Sequence, residues 1–466
     1  MLSFTISKER KKYNDKMENG ENMSKSLIKI GVICSTLEGE RIDLAEQFLH
    51  NARKTLAVHG LEIVNKDSSY TLTGEEVLIQ SKQCEALGAE AIIYLIGTWI
   101  LADHIIDAVQ RINLPIGLWG IPEPASFSSV GTNVLHGAFD EMNIKHKLFY
   151  GHADDNSIAK EIVVFARACQ LKKKCMGARL GLLGGRTISA YPTSADANQI
   201  KEMFGIEVEH IDQLVLLEKA RAIPLEQSKE VIQIVRDRYG KVDVPEEILI
   251  KSANVYLALK EIQKEYKLDF CSVKCLGEFI NTYTSCCLAV SMLNDEGIVT
   301  GCQCSINATI SSYLLSQLSD DPAYFGDINV VLKEEGIARL INCGAIPGKL
   351  ATDNKDINIV TQYEYMGTGR GACTLFCCKP GKITFGTLGR VHGKYVMSIA
   401  GGEAFTEPKE KLTEVRNWAQ GFVKLDCDPM EFYNNIRSNH STACYGDFKE
   451  ELVEFCRLTG VQVILN

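Results

Sequence analysis

The chain of 466 residues lacks an apolar run long enough to span a bilayer. Its longest apolar stretch, 91–102, contains Gly97 and Thr98 and stops at Asp103, where a span needs about twenty residues. There is no long basic run after residue 30, and the formal net charge is −9. That balance argues against nucleic acid or an anionic membrane surface as the main partner. Residues 1–28 are polar and lack the apolar core of a secretory signal. They are expected to form a disordered leader, with Met23 as an alternative start. The G-x-G-x-x-G and P-loop patterns are absent, so no phosphate-cradling fingerprint is present. Cys302-x-Cys304 and Cys271-x3-Cys275 lack the regularity of partnered C-x2-4-C pairs, which argues against a zinc site.

Cysteine itself is plentiful, with 17 residues. The odd count, the chain length and the missing signal exclude a disulfide framework. Adjacent pairs such as Cys286-Cys287 and Cys377-Cys378 lie in apolar runs, where thiols act as small hydrophobes. The expected compartment is a reducing cytoplasm. Apolar residues make up 45% and charged residues 23%, the balance of a globular protein with ample core. The length corresponds to roughly two to four domains. A small neutral or weakly charged ligand suits this surface better than a polyanion.

Order is expected from Lys29-Ile30-Gly31-Val32-Ile33-Cys34, a short apolar run closed by Ser35-Thr36. Such a run reads as a buried parallel strand. A helical pattern over 42–59, a strand over 61–64, a helix over 74–87, and strands over 91–96 and 115–119 follow. This alternation predicts a doubly wound parallel sheet, whose ligands sit beyond the carboxyl ends of the strands. The loops at 35–41 and 97–103 are therefore candidate ligand walls, with Arg41 and Trp99 as their recognition residues. The plainer alternative is a solvated arginine and a packed tryptophan.

A second α/β unit begins at 178–186, where a strand closes on Gly184-Gly185. From about residue 328 glycines punctuate short β-type runs, as expected of an antiparallel or barrel-like domain. The fold class is thus α/β, two doubly wound α/β domains followed by a β-rich, barrel-like C-terminal domain. The expected boundaries are 1–28 (leader), 29–172, 173–327 and 328–466. The stretch Gly367-Thr368-Gly369-Arg370-Gly371 can be read as an anion nest or, more cheaply, as glycines turning the chain between strands.

The chemistry-bearing residues cluster late. Asn439-His440, followed by Ala443-Cys444-Tyr445-Gly446-Asp447, joins two earlier fragments, Gly301-Cys302-Gln303-Cys304 and Phe325-Gly326-Asp327. They bring an imidazole, a carboxylate and an amide that suit one metal. Each has a plainer alternative. His440 reads as a loop or capping residue, Asp327 as a helix cap, and Gln303 as a hydrogen-bonded core amide.

Read in order, Cys275-Leu276-Gly277-Glu278, Asp295-Glu296-Gly297, the Gln303 fragment with Asn307, the Asp327 fragment with 339–344, and the Asn439-His440 segment resemble the L-fucose isomerase family. The more distant likeness is to L-arabinose isomerase. The resemblance runs from Lys29 to Asn466 and takes in Phe165-Ala166-Arg167-Ala168, Gly184-Gly185 and the Trp99 loop. It implies aldose–ketose isomerisation with Mn²⁺, or Mg²⁺ or another divalent cation, held at Gln303, Asp327 and His440. It also implies Arg41 and Trp99 in the sugar pocket of a neighbouring subunit, Asn439 as a further substrate contact, and a homo-oligomer, trimer or hexamer.

Such isomerisation moves a proton between C1 and C2 through a cis-enediol. A hard divalent cation stabilises the charge, and carboxylates carry the proton. Where the family has glutamate this chain has Gln303, and an amide ligates through its oxygen but accepts no proton near neutral pH. Three outcomes stay open at this point. Asp327 acts as sole base, or another carboxylate, Glu278 first, takes over. Otherwise the activity is lost and a non-catalytic or altered-reaction sugar-binding descendant remains.

Overall fold

The computed structural model of the chain describes residues 27–362, 370–412, 414–415 and 418–466. The expected leader, save its last two residues, and most of the Gly367–Gly371 stretch lie outside the described residues. The chain divides into two compact units that meet between Lys173 and Lys174.

The first unit is built on β1 (Ile28–Ser35), α1 (Ile42–Val58), β2 (Leu61–Ile63), α2 (Gly74–Ala86), β3 (Ala91–Ile96), α3 (Ala102–Val109), β4 (Ile116–Gly120), α4 (Ser128–Glu141) and β5 (His146–Tyr150). The five strands pair in parallel in the order β2-β1-β3-β4-β5. Helices cover such a sheet on both faces, so its central strands are apolar throughout. Every residue of β3 is buried. Helix α2 starts where it does because Thr73 and Glu76 form a reciprocal capping box, which satisfies two of its orphan amide donors. Beyond the carboxyl ends of β1 and β3, a 2.7 Å hydrogen bond joins the Thr36 and Thr98 hydroxyls. The two predicted ligand-wall loops are thus tied side by side. Helix α5 (Asn156–Cys175) follows, and the first unit ends within it.

The second unit opens with β6 (Arg179–Leu183), α6 (Ala197–Phe204), β7 (Glu207–Ile211), α7 (Gln213–Ala222), α8 (Leu225–Arg238), β8 (Val242–Asp243), α9 (Glu246–Glu265), β9 (Phe270–Val273), α10 (Glu278–Thr282), α11 (Cys287–Asp295), β10 (Thr300–Cys302) and α12 (Ile306–Leu318). Strands β10, β9, β6 and β7 make a second parallel sheet in that order.

Then come β11 (Tyr324–Leu332), β12 (Ile337–Ile341), β13 (Asn358–Thr361), β14 (Ala372–Leu375), β15 (Gly381–Val391), β16 (Lys394–Phe405), α13 (Lys409–Leu412), β17 (Gln420–Leu425), α14 (Pro429–Asn434), β18 (His440–Tyr445), α15 (Lys449–Thr459) and β19 (Gln462–Leu465). The order β15-β18-β11-β12-β17-β16 is antiparallel, and β15 also pairs with β16. The sheet therefore closes on itself as a six-stranded barrel, with β19 appended in parallel to β16. Closure removes the sheet edges that would otherwise template aggregation. Strands β14, β13 and β8 form a small separate sheet.

Helix α12 is buried along nearly its whole length and packs on β9 and β10 on one side and β11, β15 and β18 on the other. One apolar core runs from Leu183 and Val273 in the parallel sheet to Leu340, Phe385 and Val423 in the barrel. Strand β11 crosses the boundary expected at 327/328. Sheet and barrel consequently share one compact unit.

Candidate functional site

Asp327 and His440 lie directly opposite one another in the antiparallel β11–β18 pair. Directly opposed residues share a face, with Cβ atoms about 4.5–5.5 Å apart. Neither plainer reading holds. Asp327 sits within a strand and caps no helix, and His440 opens β18 instead of lying in a loop. Local sequence fixes this geometry. At Gly326 a Cβ would come within 2.2 Å of the Ile341 carbonyl oxygen, so only glycine lets β11 and β12 approach so closely. The Tyr324 hydroxyl reaches the Ile341 and Asp327 carbonyls at 2.7 and 3.2 Å. A register shift between Ile328 and Val330 follows at once, and such irregularities re-aim neighbouring side chains.

His440 is 1% exposed, and its ring lies 4.8 Å from that of Phe325. Its Nδ1 is buried without a hydrogen-bond partner among the described residues. Burial pushes its pKa down to about 4, so the imidazole is neutral and carries a lone pair at neutral pH. The Asp327 carboxyl is pushed up to about 7, first by burial and then by negative charge at Cys343, against a hydrogen bond from Asn439. A carboxyl that titrates near 7 is suited to accept and return a proton.

Gln303 follows β10 at the carboxyl edge of the second sheet, where ligands of such sheets are found. Gln303 and Cys304 hold left-handed φ values of +58° and +49°, each costing on the order of 1 kcal/mol in a non-glycine residue. The surroundings hold the bend in place. The Thr187 hydroxyl donates to the Gln303 carbonyl at 3.3 Å, and the Cys304 thiol reaches the Leu183 carbonyl at 3.1 Å. The Gln303 side-chain amide makes no hydrogen bond among the described residues, although the residue is 8% exposed. Its neighbour Cys302 shares a small apolar cluster with Phe325, whose ring packs at a tilt against that of His440. Gln303 thus lies just before α12, the helix that packs on the β11 and β18 strands carrying Asp327 and His440.

The other expected residues are placed less centrally. Asn439, exposed at the tip before β18, bonds to Asp327. Glu278, at the start of α10, has a 75% exposed side chain paired to Lys274 at 2.7 Å. That pairing holds its carboxyl below the ordinary range. Within the first unit, exposed Arg41 forms a two-pronged ion pair with Asp43, at 2.8 and 2.5 Å. Trp99 is half-buried in the loop tied by Thr36 and Thr98.

The sequence reading missed a ring of thiols behind the site. Cys275 contacts Cys287 and Cys302, and both of these reach Cys343. The S–H bonds from Cys287 and Cys302 hold Cys343 below its ordinary range, which places negative charge beside Asp327. Irregular spacing hid this ring. The cysteines that the structure describes are all free thiols.

A carboxylate, a neutral imidazole with an orphaned nitrogen and an amide oxygen suit a hard divalent cation. Among the described residues no third His, Cys, Asp or Glu completes a three-donor set with Asp327 and His440. Gln303 and substrate oxygens are the remaining donors of the right kind.

A family model described as the L-fucose isomerase C-terminal domain matches residues 340–466. Among curated proteins the chain is similar to a sulfoquinovose isomerase of Alkalicoccus urumqiensis, at 22% identity over 69% of this chain and 73% of that protein. It is similar to one of Clostridium sp. (strain MSTE9), at 23% identity over 74% and 79%. It is also similar to one of Priestia aryabhattai, at 18% identity over 80% and 84%. Among solved structures, GanP, a glucose-galactose binding protein from Geobacillus stearothermophilus, aligns over 62% of this chain and 90% of its own at 11% identity. The TM-score of that alignment is 0.16. No helix among the described residues is long and apolar enough to cross a membrane.

Proposed function

We propose that this chain is an aldose–ketose isomerase of the L-fucose isomerase family in which Asp327 carries the proton. The supporting observation is the cross-strand pair itself. A carboxyl held near pKa 7 faces a buried, neutral histidine with an unpartnered nitrogen.

The Asp327 carboxylate takes the C2 proton of the open-chain aldose. The C2–H electron pair forms the C1=C2 bond of a cis-enediol as the carbonyl bond opens, and the O2 proton passes to O1, directly or through a relaying water. Collapse in the other direction makes C2 the carbonyl carbon and moves the proton from Asp327 to C1. One carboxyl thus serves both carbons on one face, which removes the need for a second carboxylate at position 303. His440, Asp327 and the Gln303 carbonyl oxygen are the residues that would hold a divalent cation such as Mn²⁺. When bound, that cation would draw electron density from the two substrate oxygens and acidify C2–H. Asn439 orients the carboxyl through its hydrogen bond, and Arg41 and Trp99 are assigned to sugar contacts from a neighbouring subunit of a homo-oligomer.

The curated relatives are named for sulfoquinovose, a sulfonated sugar, so the substrate class proposed is a modified aldose of that size. The test is exchange of the C2 proton with deuterated solvent, followed by NMR, across sulfoquinovose, L-fucose, L-arabinose and related aldoses with Mn²⁺ or Mg²⁺. Exchange with at least one sugar is expected, lost in Asp327→Asn. A protein that binds a sugar without exchanging any proton supports the second reading, a sugar binder. That reading is favoured by the amide at Gln303.

A further inference from the structure

We infer that His136, Asp140 and His146 form a second metal site, on the first unit, selective for a borderline transition cation such as Zn²⁺ or Ni²⁺. His136 and Asp140 lie one turn apart on α4, and His146 opens the edge strand β5. One ligand atom from each residue lies within 4.8 Å of the others. His136 Nδ1 is 2.8 Å from His146 Nε2, and His136 Nε2 is 3.7 Å from the Asp140 carboxylate. Four-coordinate sites with bonds of about 2.0–2.2 Å separate their ligand atoms by roughly 3.3–3.6 Å. The two distances end on different nitrogens of the His136 ring, so binding one ion through all three residues requires that ring to turn and present a single nitrogen to both partners.

The backbone fixes the tautomer of His146. His146 Nδ1 lies 2.8 Å from the Ile144 carbonyl oxygen. A carbonyl only accepts, so Nδ1 carries the proton and Nε2 presents its lone pair to His136. That lone pair is the ligand atom that His146 offers to an ion. The backbone carbonyl behind His146 is also the outer partner that orients metal-bound histidines. Phe139, fully buried, packs edge-on against the His146 ring at 5.2 Å and fixes its plane.

Two imidazoles and one carboxylate select Zn²⁺, Ni²⁺ or Cu²⁺ over Mn²⁺ or Mg²⁺. This set thus differs in kind from the oxygen-rich set at Asp327. An ion there would staple the end of α4 to the start of β5.

The experiment uses the full chain stripped with chelator, Ni²⁺ as the probe, equilibrium dialysis for stoichiometry and thermal denaturation for the staple. The native chain is expected to bind one Ni²⁺ equivalent more than His136→Ala. Asp140→Asn, at an exposed and structurally undemanding position, should weaken that equivalent by about 10–100-fold. The rise in Tm produced by Ni²⁺ should disappear in both variants, while C2-proton exchange with Mn²⁺ stays unchanged. Equal Ni²⁺ stoichiometry and equal Tm shifts in all three proteins would overturn the inference.

Discussion

His440 in the second unit is 1% exposed, has an unpartnered Nδ1, and sits opposite a carboxyl whose pKa is pushed up to about 7. His136 and His146 in the first unit are half-buried and bonded to each other, beside the exposed carboxylate of Asp140. Both groups set histidine against aspartate, yet they are built for different tasks. Burial deprives the first pair of water, which raises the free energy of the charged carboxylate and moves its proton affinity toward neutrality. The second set stays open to solvent, with two imidazoles and a carboxylate placed to bind an ion. Reactivity follows the desolvated pair.

The substitution Asp327→Asn tests this contrast with the largest expected effect. Sugar C2-proton exchange should fall by about 10³-fold, the scale of losing a positioned general base. The metal-free variant should at the same time be more stable at pH 8, on the order of 2 kcal/mol, because a neutral amide avoids burying a charge. Asp140→Asn should change neither exchange nor metal-free stability measurably. Equal effects of the two substitutions on exchange would remove the distinction.

The pH dependence of metal-free stability comes next in size. His440 titrates at about 4 when folded and at 6.5 as a free imidazole. Its contribution is therefore complete above pH 6.5 and is lost as pH falls through 4, by on the order of 3 kcal/mol. Asp327 acts in the opposite sense. Its folded value of about 7 lies above the ordinary 3.8, so its contribution is complete below pH 3.8 and is lost as pH rises through 7. The two trends oppose each other between pH 4 and 6.5. His440→Asn should remove the acid-side loss and leave Tm rising as pH falls across that interval. An unchanged Tm–pH profile in this variant would show that His440 is solvated.

Much of this architecture could be read from the residues, and the physical reason differs from place to place. Strands β1 and β3 are legible because a parallel strand covered on both faces becomes an apolar run. The β-rich, barrel-like character after residue 328 is legible from its glycines, and the strand order that closes the barrel is not. Closure depends on β11–β18 and β15–β18 pairings between segments distant in sequence. The site shows the same division. Asp327 and His440 stand out through the order of their motifs, whereas their direct opposition is a matter of register. The left-handed bend at Gln303 and Cys304 has no local signal, since neither residue favours that conformation. His136 and Asp140 carried a readable i,i+4 spacing, but His146 becomes their neighbour only once β5 is laid beside β4.

Gln303→Glu adds to the buried site the negative charge that the exposed trio already holds in Asp140. Mn²⁺ affinity should rise by about tenfold, read by equilibrium dialysis. If the native chain is a sugar binder, the same variant should acquire C2-proton exchange. If the native chain is already an isomerase, exchange should change less than binding. A variant with unchanged Mn²⁺ affinity would place the Gln303 side chain outside the ion's reach.

Glu278 is the smallest expected effect, and it decides whether Asp327 works alone. Its side chain is 75% exposed and paired to Lys274, so solvent and the ammonium together hold it deprotonated. A carboxylate kept below its ordinary range surrenders its proton too readily to shuttle one at neutral pH. Glu278→Gln should therefore leave the exchange rate within about threefold of native, with a stability change within about 0.5 kcal/mol, as for other exposed ion pairs. A loss approaching that of Asp327→Asn would mean that substrate desolvates Glu278 and recruits it as the second carboxylate. The exposed and buried acids would then act together, and desolvation in the resting protein would no longer mark the reactive one.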